Sequence, residues 1–259
     1  FTLIDSLKKE RTESITALIR SDQVKNVKKY FSDSKTKTEN DSFYELEIND
    51  KFALLTLPSF DYKRVNKYEV KSKDMYKSLF QELRDKDVRN LVIDLRDNTG
   101  GRNEFADDMI PFISKSSSGD PYLKKTISWE GKEKTYKLPN PSKLAFQGAI
   151  YVLANGKTFS AGASLARYLR EYGDAMIIGT ETGTRYEGFA AGSTEFVTLP
   201  NSGLEIGIPR YHILYPESAQ QKTTNRGLLP DYEIHHTFES YSSGTDLHLE
   251  KATELINQE

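Results

Sequence analysis

At 259 residues, with 37% hydrophobic and 29% charged side chains, the chain has the composition of a globular protein and not of a disordered one. Its 36 Lys and Arg stand against 38 Asp and Glu, a net charge of −2 with no long basic block, so a nucleic-acid partner has no electrostatic support. Cysteine is absent, which removes disulfides, thiolate metal ligands and cysteine nucleophiles together, and no apolar run nears the ~20 residues that cross a bilayer. The first residue is Phe1 and not Met, from which we expect an upstream segment, with any signal peptide in it, to have been removed.

Residues 1–40 read as an N-terminal extension or the remnant of an upstream domain, closing on the polar run SDSKTKTEN, which has no apolar periodicity and reads as a linker. Residues 41–259 read as the core. FYELEIN alternates, and beyond a turn at Asp50-Lys51 the run FALLTLP predicts a buried strand ended by Pro58. Glu69–Lys86 places Val70, Met75, Tyr76, Leu79, Phe80 and Leu83 at helical spacing. NLVIDLR is apolar, β-branched and short, the pattern of a central strand. Asn103–Ser114 carries a helical apolar stripe, with Pro111 ending or kinking it near its close. YLKKTISW and EKTYKL flank a Gly-containing turn and predict a hairpin projecting from the core. Ala149–Leu153 then predicts a strand, Ser160–Tyr172 a helix and Ala175–Ile178 another strand. The β-α-β-α-β order implies helices packed on a mostly parallel sheet. Two antiparallel strands around Pro200–Gly203 and a helix over Leu247–Ile256 complete the core.

Chemistry-bearing residues gather where predicted strands stop at small residues. In YVLANGKTFSAGASLA the run ends at Ser160, followed by Ala161, Gly162 and Ala163, a strand-to-helix turn that can present a hydroxyl with little steric cover. A serine in this position also serves as an ordinary helix N-cap, and the segment does not match the GxSxG elbow. The pair Gly100-Gly101 supplies positive φ for a tight turn or two N–H groups for an oxyanion. Gly179–Gly183 forms a third small-residue loop. The four histidines show no metal-ligand spacing, and Asp94, Glu181 and Glu187 fit solvated or structural roles, Asp94 by tying down its loop.

Together, LVIDLRDNTGG, YVLANGKTFSAGASLA, MIIGTETG and NRGLLPDYEI resemble, in order, the motifs of the C-terminal processing or tail-specific serine peptidases, relatives of the tricorn core protease. The likeness runs from about Phe43 to Ile234. It implies a ClpP/crotonase-like β-α superhelix with added β-hairpins, a peptide or protein substrate, no cofactor and no metal, and an extracytoplasmic location. It also implies Ser160 as nucleophile, with the N–H of Ala161 and of Gly100 or Gly101 holding the oxyanion. The family's base lysine falls on Arg185, which stays protonated and takes no proton, and the tricorn-type histidine position holds Thr56. The base is therefore open, with His212 the candidate we carry forward and Lys157 and Glu187 among the others. The competing reading is a silent member that binds peptides or another ligand in the cleft.

Overall fold

The computed structural model describes residues 2–4, 9–12, 42–115 and 123–258. The chain divides into two units, 1–41 and 42–259. In the first, β1 (Thr2–Ile4) pairs antiparallel with β2 (Glu10–Thr12). The polar run expected as a linker lies outside the described residues.

In the second unit the FYELEIN and FALLTLP segments form β3 (Glu45–Ile48) and β4 (Ala53–Thr56), paired antiparallel. β4 then pairs parallel with β5 (Asn90–Asp94), β5 with β8 (Ala149–Ala154), β8 with β9 (Met176–Gly179), and β9 with β12 (Tyr232–Glu233). The sheet order is β12-β9-β8-β5-β4-β3. Its central strands are apolar throughout because both faces are covered. Alternation divides them. Leu91, Ile93, Ile150 and Val152 join the core that includes Leu165 and Leu169 of α5 (Ala161–Gly173). Val92, Tyr151, Leu153 and Ile178 pack with Ala252, Leu255 and Ile256 of α7 (Leu247–Ile256). The carboxyl ends of β4, β5, β8 and β9 consequently open on one edge, where ligand sites of α/β sheets form.

Three expectations need correction. The helix expected over Glu69–Lys86 is the shorter α2 (Ser72–Asp85), and a helix that periodicity does not mark precedes it, α1 (Tyr62–Tyr68), capped by the Asp61 carboxylate and ended by Glu69 at φ 49°. The stripe over Asn103–Ser114 divides into α3 (Glu104–Asp107) and α4 (Ile110–Ile113). Pro111 lies in the first turn of α4, where its missing N–H costs nothing, so the chain restarts its helix before the proline and does not kink after it. Nor does the 122–138 hairpin stand free. Its strands, β6 (Lys124–Ser128) and β7 (Glu133–Tyr136), extend the hairpin of β10 (Gly188–Thr198) and β11 (Glu205–Leu214) into an antiparallel sheet ordered β10-β11-β6-β7. A further helix, α6 (Phe238–Ser243), opens with a capping box at Thr237.

Asp94 ties the loop after β5. Arg96 donates from Nε and Nη2 to its carboxylate at 3.0 and 2.6 Å, and from Nη1 and Nη2 to Asp246, the N-cap of α7, at 2.7 Å each. Burial works to raise the Asp246 carboxyl, but the bonds from Arg96 and the Leu249 N–H outweigh it and hold it below the usual range. That contribution is present above the ordinary carboxylate pKa and is lost as pH falls through the depressed folded value. Arg96→Met should therefore cost about 2–3 kcal/mol near neutral pH, and less in acid. Denaturant unfolding at the two pH values measures this.

Candidate active site

The turn that carries Ser160 is built by its neighbours. After β8, the Thr158 hydroxyl donates to Leu95 O at 2.8 Å and accepts the Asn155 N–H at 3.0 Å, while the Phe159 N–H reaches Asn98 O at 2.9 Å. The loops after β5 and β8 are thus fastened together. Ser160 itself is held at φ 51°, ψ −124°, a conformation unfavourable for a residue with a Cβ. Its N–H donates to Thr184 Oγ1 at 2.7 Å, and its carbonyl accepts the Ser164 N–H at 2.9 Å and the Ser164 hydroxyl at 3.1 Å. Although it precedes α5, its hydroxyl makes no capping bond, so the ordinary N-cap explanation for this serine does not apply.

Gly100 lies directly against that turn. At φ +88°, a Cβ on it would stand 2.7 Å from both Ser160 Cβ and Ala161 N. Gly101, at φ +135°, would drive a Cβ to 2.0 Å from Phe60 O. The Gly100 N–H donates at 2.9 Å to the buried Asn98 carboxamide oxygen, and Asn98 Nδ2 donates to Leu57 O at 2.7 Å. Among the described residues neither the Gly101 nor the Ala161 N–H meets an acceptor. Ala161 is the first residue of α5, where such orphan donors are expected.

The candidate bases are placed as follows. Arg185 follows the residue that holds the Ser160 N–H, but its guanidinium donates to Glu187 at 2.6 Å. His212 is exposed on β11 and alternates with the buried Ile213, so it faces away from the side on which Ile213 and Tyr215 pack. Lys157 points outward to Asp97 at 3.5 Å. Glu181 is committed to Arg226 and to the Gly227 N–H. Among the described residues none hydrogen-bonds the Ser160 hydroxyl.

One part of the site escapes sequence reasoning. Ser164 Oγ and Tyr215 OH are 2.6 Å apart, and because Ser164 Oγ donates to Ser160 O, Tyr215 donates to Ser164. Tyr215 also packs edge-on against the ring of Tyr168, centroids 5.8 Å apart, and the Tyr168 hydroxyl donates at 3.3 Å to Asp107, which pairs with the buried Lys124 at 2.6 Å. Burial pushes the Tyr215 phenol up to about 12, so it stays a neutral donor. The only prior signal for this chain of contacts is a serine one helical turn after Ser160.

Fold and site together define a mixed α/β protein that displays a serine, without using it as a cap, at the loop edge of a parallel sheet. Residues 51–234 match Peptidase family S41, and the chain belongs to that family. It is similar in fold to the photosystem II D1 C-terminal processing protease, at 20% identity and TM-score 0.50 over 71% of this chain and 42% of that one. A lipoprotein from Streptococcus agalactiae aligns at 17% identity and TM-score 0.53, over 84% of this chain and 70% of that one. Mature CPAF aligns at 13% and 0.55, over 83% and 55%. The chain thus spans less than half the length of the first of these. No curated protein sequence matches it.

Proposed function

We propose that the chain is a serine-type peptidase core of ClpP/crotonase-like design, with Ser160 as the nucleophile attacking a peptide carbonyl. The observation that carries this is the Ser160 turn: a hydroxyl released from capping, on a backbone held at φ 51° by bonds from two other loops. Strain of this kind persists where surrounding structure over-determines it, and it is common at reactive residues. The oxyanion falls to the N–H groups of Ala161 and of the Gly100-Gly101 turn. Of that pair, Gly101 has the uncommitted donor, since Gly100 is bonded to Asn98. No cofactor takes part, and the family resemblance supports an extracytoplasmic location.

A second reading is favoured by one observation. Arg185 occupies the base position as a guanidinium paired with Glu187, which fits a member that binds peptides without cutting them. A serine-directed phosphonate separates the two. Covalent labelling of Ser160, lost in Ser160→Ala while the unfolding midpoint stays, supports the peptidase. Absence of labelling in a chain that still binds peptides supports the silent member. Labelling that persists in Ser160→Ala sinks the assignment of the nucleophile.

A further inference from the structure

Beyond its base the β10–β11 hairpin forms an arm. β6 pairs with β11 only over Tyr211–Leu214, so from Arg210 outward the arm consists of two strands among the described residues. An isolated two-stranded hairpin is only marginally stable in water. At the base the two faces are ordinary: Tyr211 and Ile213 of β11, with Phe189 and Ala191 of β10, turn to the core, and His212 turns away. Further out the pattern inverts. The face that continues from Tyr211 carries Pro209, Gly207 and Glu205 opposite Thr194, Phe196 and Thr198, so Phe196 is its one large apolar residue. The face turned away from the core carries Ile208, Ile206 and Leu204, the last two opposite Val197 and Leu199.

An antiparallel sheet with one solvated face ordinarily makes that face polar. Here Leu204 is 64% exposed, Val197 47%, Ile206 46% and Ile208 39%, and Trp129, at the base of the same face, is 47% exposed with Arg210 stacked 5.6 Å from its ring. These five side chains present on the order of 450 Å² of mostly apolar surface, a patch of the size that marks an interaction site on a soluble protein. Charge narrows the partner. Along the arm the ionised groups of this face are Glu195 and Arg210, which pair with each other. The face is therefore neutral and has nothing with which to steer a strongly charged protein or a nucleic acid.

We infer that the outward face of this arm is an interface between two copies of the chain, packed face to face about a two-fold axis. A second copy matches the face in both respects, an apolar ladder against an apolar ladder and a neutral surface against a neutral one. With the arms laid antiparallel, Leu204 at the tip of one meets Trp129 at the base of the other, and each Glu195–Arg210 pair lies at the rim. Two such faces remove about 900 Å² of mostly apolar surface, which with a polar rim reaches the ~1,200 Å² at which specific interfaces begin. The association does not depend on whether Ser160 cuts.

The test is sedimentation equilibrium of the full chain from about 1 to about 100 μM, the range in which a small interface associates. The wild-type chain should be a dimer at the upper end. Ile206→Glu sets two like charges in the middle of the contact and should weaken the dimer ~10²-fold or more. Ile206 is exposed and belongs to neither core cluster, so this variant should keep the wild-type unfolding midpoint. Should the midpoint fall, Leu204→Glu at the tip reads the same contact. Phe196→Ser, on the other face of the arm, should leave the dimer intact. A wild-type chain that is monomeric throughout overturns the inference, and if that monomer co-sediments with phosphatidylcholine vesicles, a lipid surface covers the face instead. A dimer that survives both glutamate variants, or that Phe196→Ser dissociates, places the contact elsewhere and overturns it as well.

Discussion

Gly100→Val is expected to slow phosphonate labelling of Ser160, and any peptide turnover, by ~10²-fold or more, the loss seen when an oxyanion site is disturbed. The reason is contact geometry. A Cβ at this position meets Ser160 Cβ, Ala161 N and Phe159 O between 2.7 and 2.8 Å, all of them on the Ser160 turn, so the new side chain displaces that turn or the loop opposite. Positive φ adds about 1–2 kcal/mol of destabilisation. Gly101→Ala is the contrasting variant. Its Cβ strikes the Phe60 carbonyl at 2.0 Å, where Phe60 and Gly101 form a parallel bridge, so it should lower the unfolding free energy in addition to moving the N–H proposed for the oxyanion. Labelling rate and thermal unfolding, measured on both, separate the roles. A folded Gly100→Val protein that labels at the wild-type rate would falsify the placement of this loop over the nucleophile.

The sequence exposes the parts of this fold whose pattern is local. NLVID and AIYVLA are apolar on both faces because helices cover both, and they declare themselves as central strands without further help. Ser160 is legible for a similar reason, since a small-residue turn between strand and helix leaves its mark in consecutive letters. α1 is not legible. YKRVNKY buries only Val65, and what starts it is a side-chain bond from Asp61, which periodicity does not record. His212 illustrates a signal that was available: its strand alternates, and the neighbouring Ile213 belongs to the core, which sends the imidazole the other way. The Tyr215–Ser164 bond joins residues 51 apart and has no local trace. Arg167 is hidden by convention, because an arginine on a helix reads as a solvated face, whereas α5 is buried nearly all round.

Arg185→Lys tests the base position most directly, and its pH profile carries the information. A lysine there accepts the Ser160 proton only in its neutral form, and a general base in place is worth ~10²–10⁴-fold in rate. Glu187 opposes this. Its carboxyl is subject to burial, which would raise it, yet the bonds from Arg185 and the Asn225 N–H hold it below its ordinary value, so at neutral pH it is an anion beside the new amine. A neighbouring anion favours the charged lysine and raises its pKa. Arg185→Lys alone should therefore gain activity chiefly in alkali, rising through the lysine pKa. Adding Glu187→Gln removes the anion, so the rise should move to lower pH and the gain near pH 7 should approach ~10²-fold. Arg185→Met, which supplies no base, should gain nothing. Should the lysine variants cut peptides no faster than Arg185→Met at any pH, the loop after β9 does not deliver residue 185 to Ser160. A wild-type chain that already cuts briskly, and loses this in His212→Ala alone, would instead identify a Ser-His pairing and require β11 to turn its exposed face toward the site.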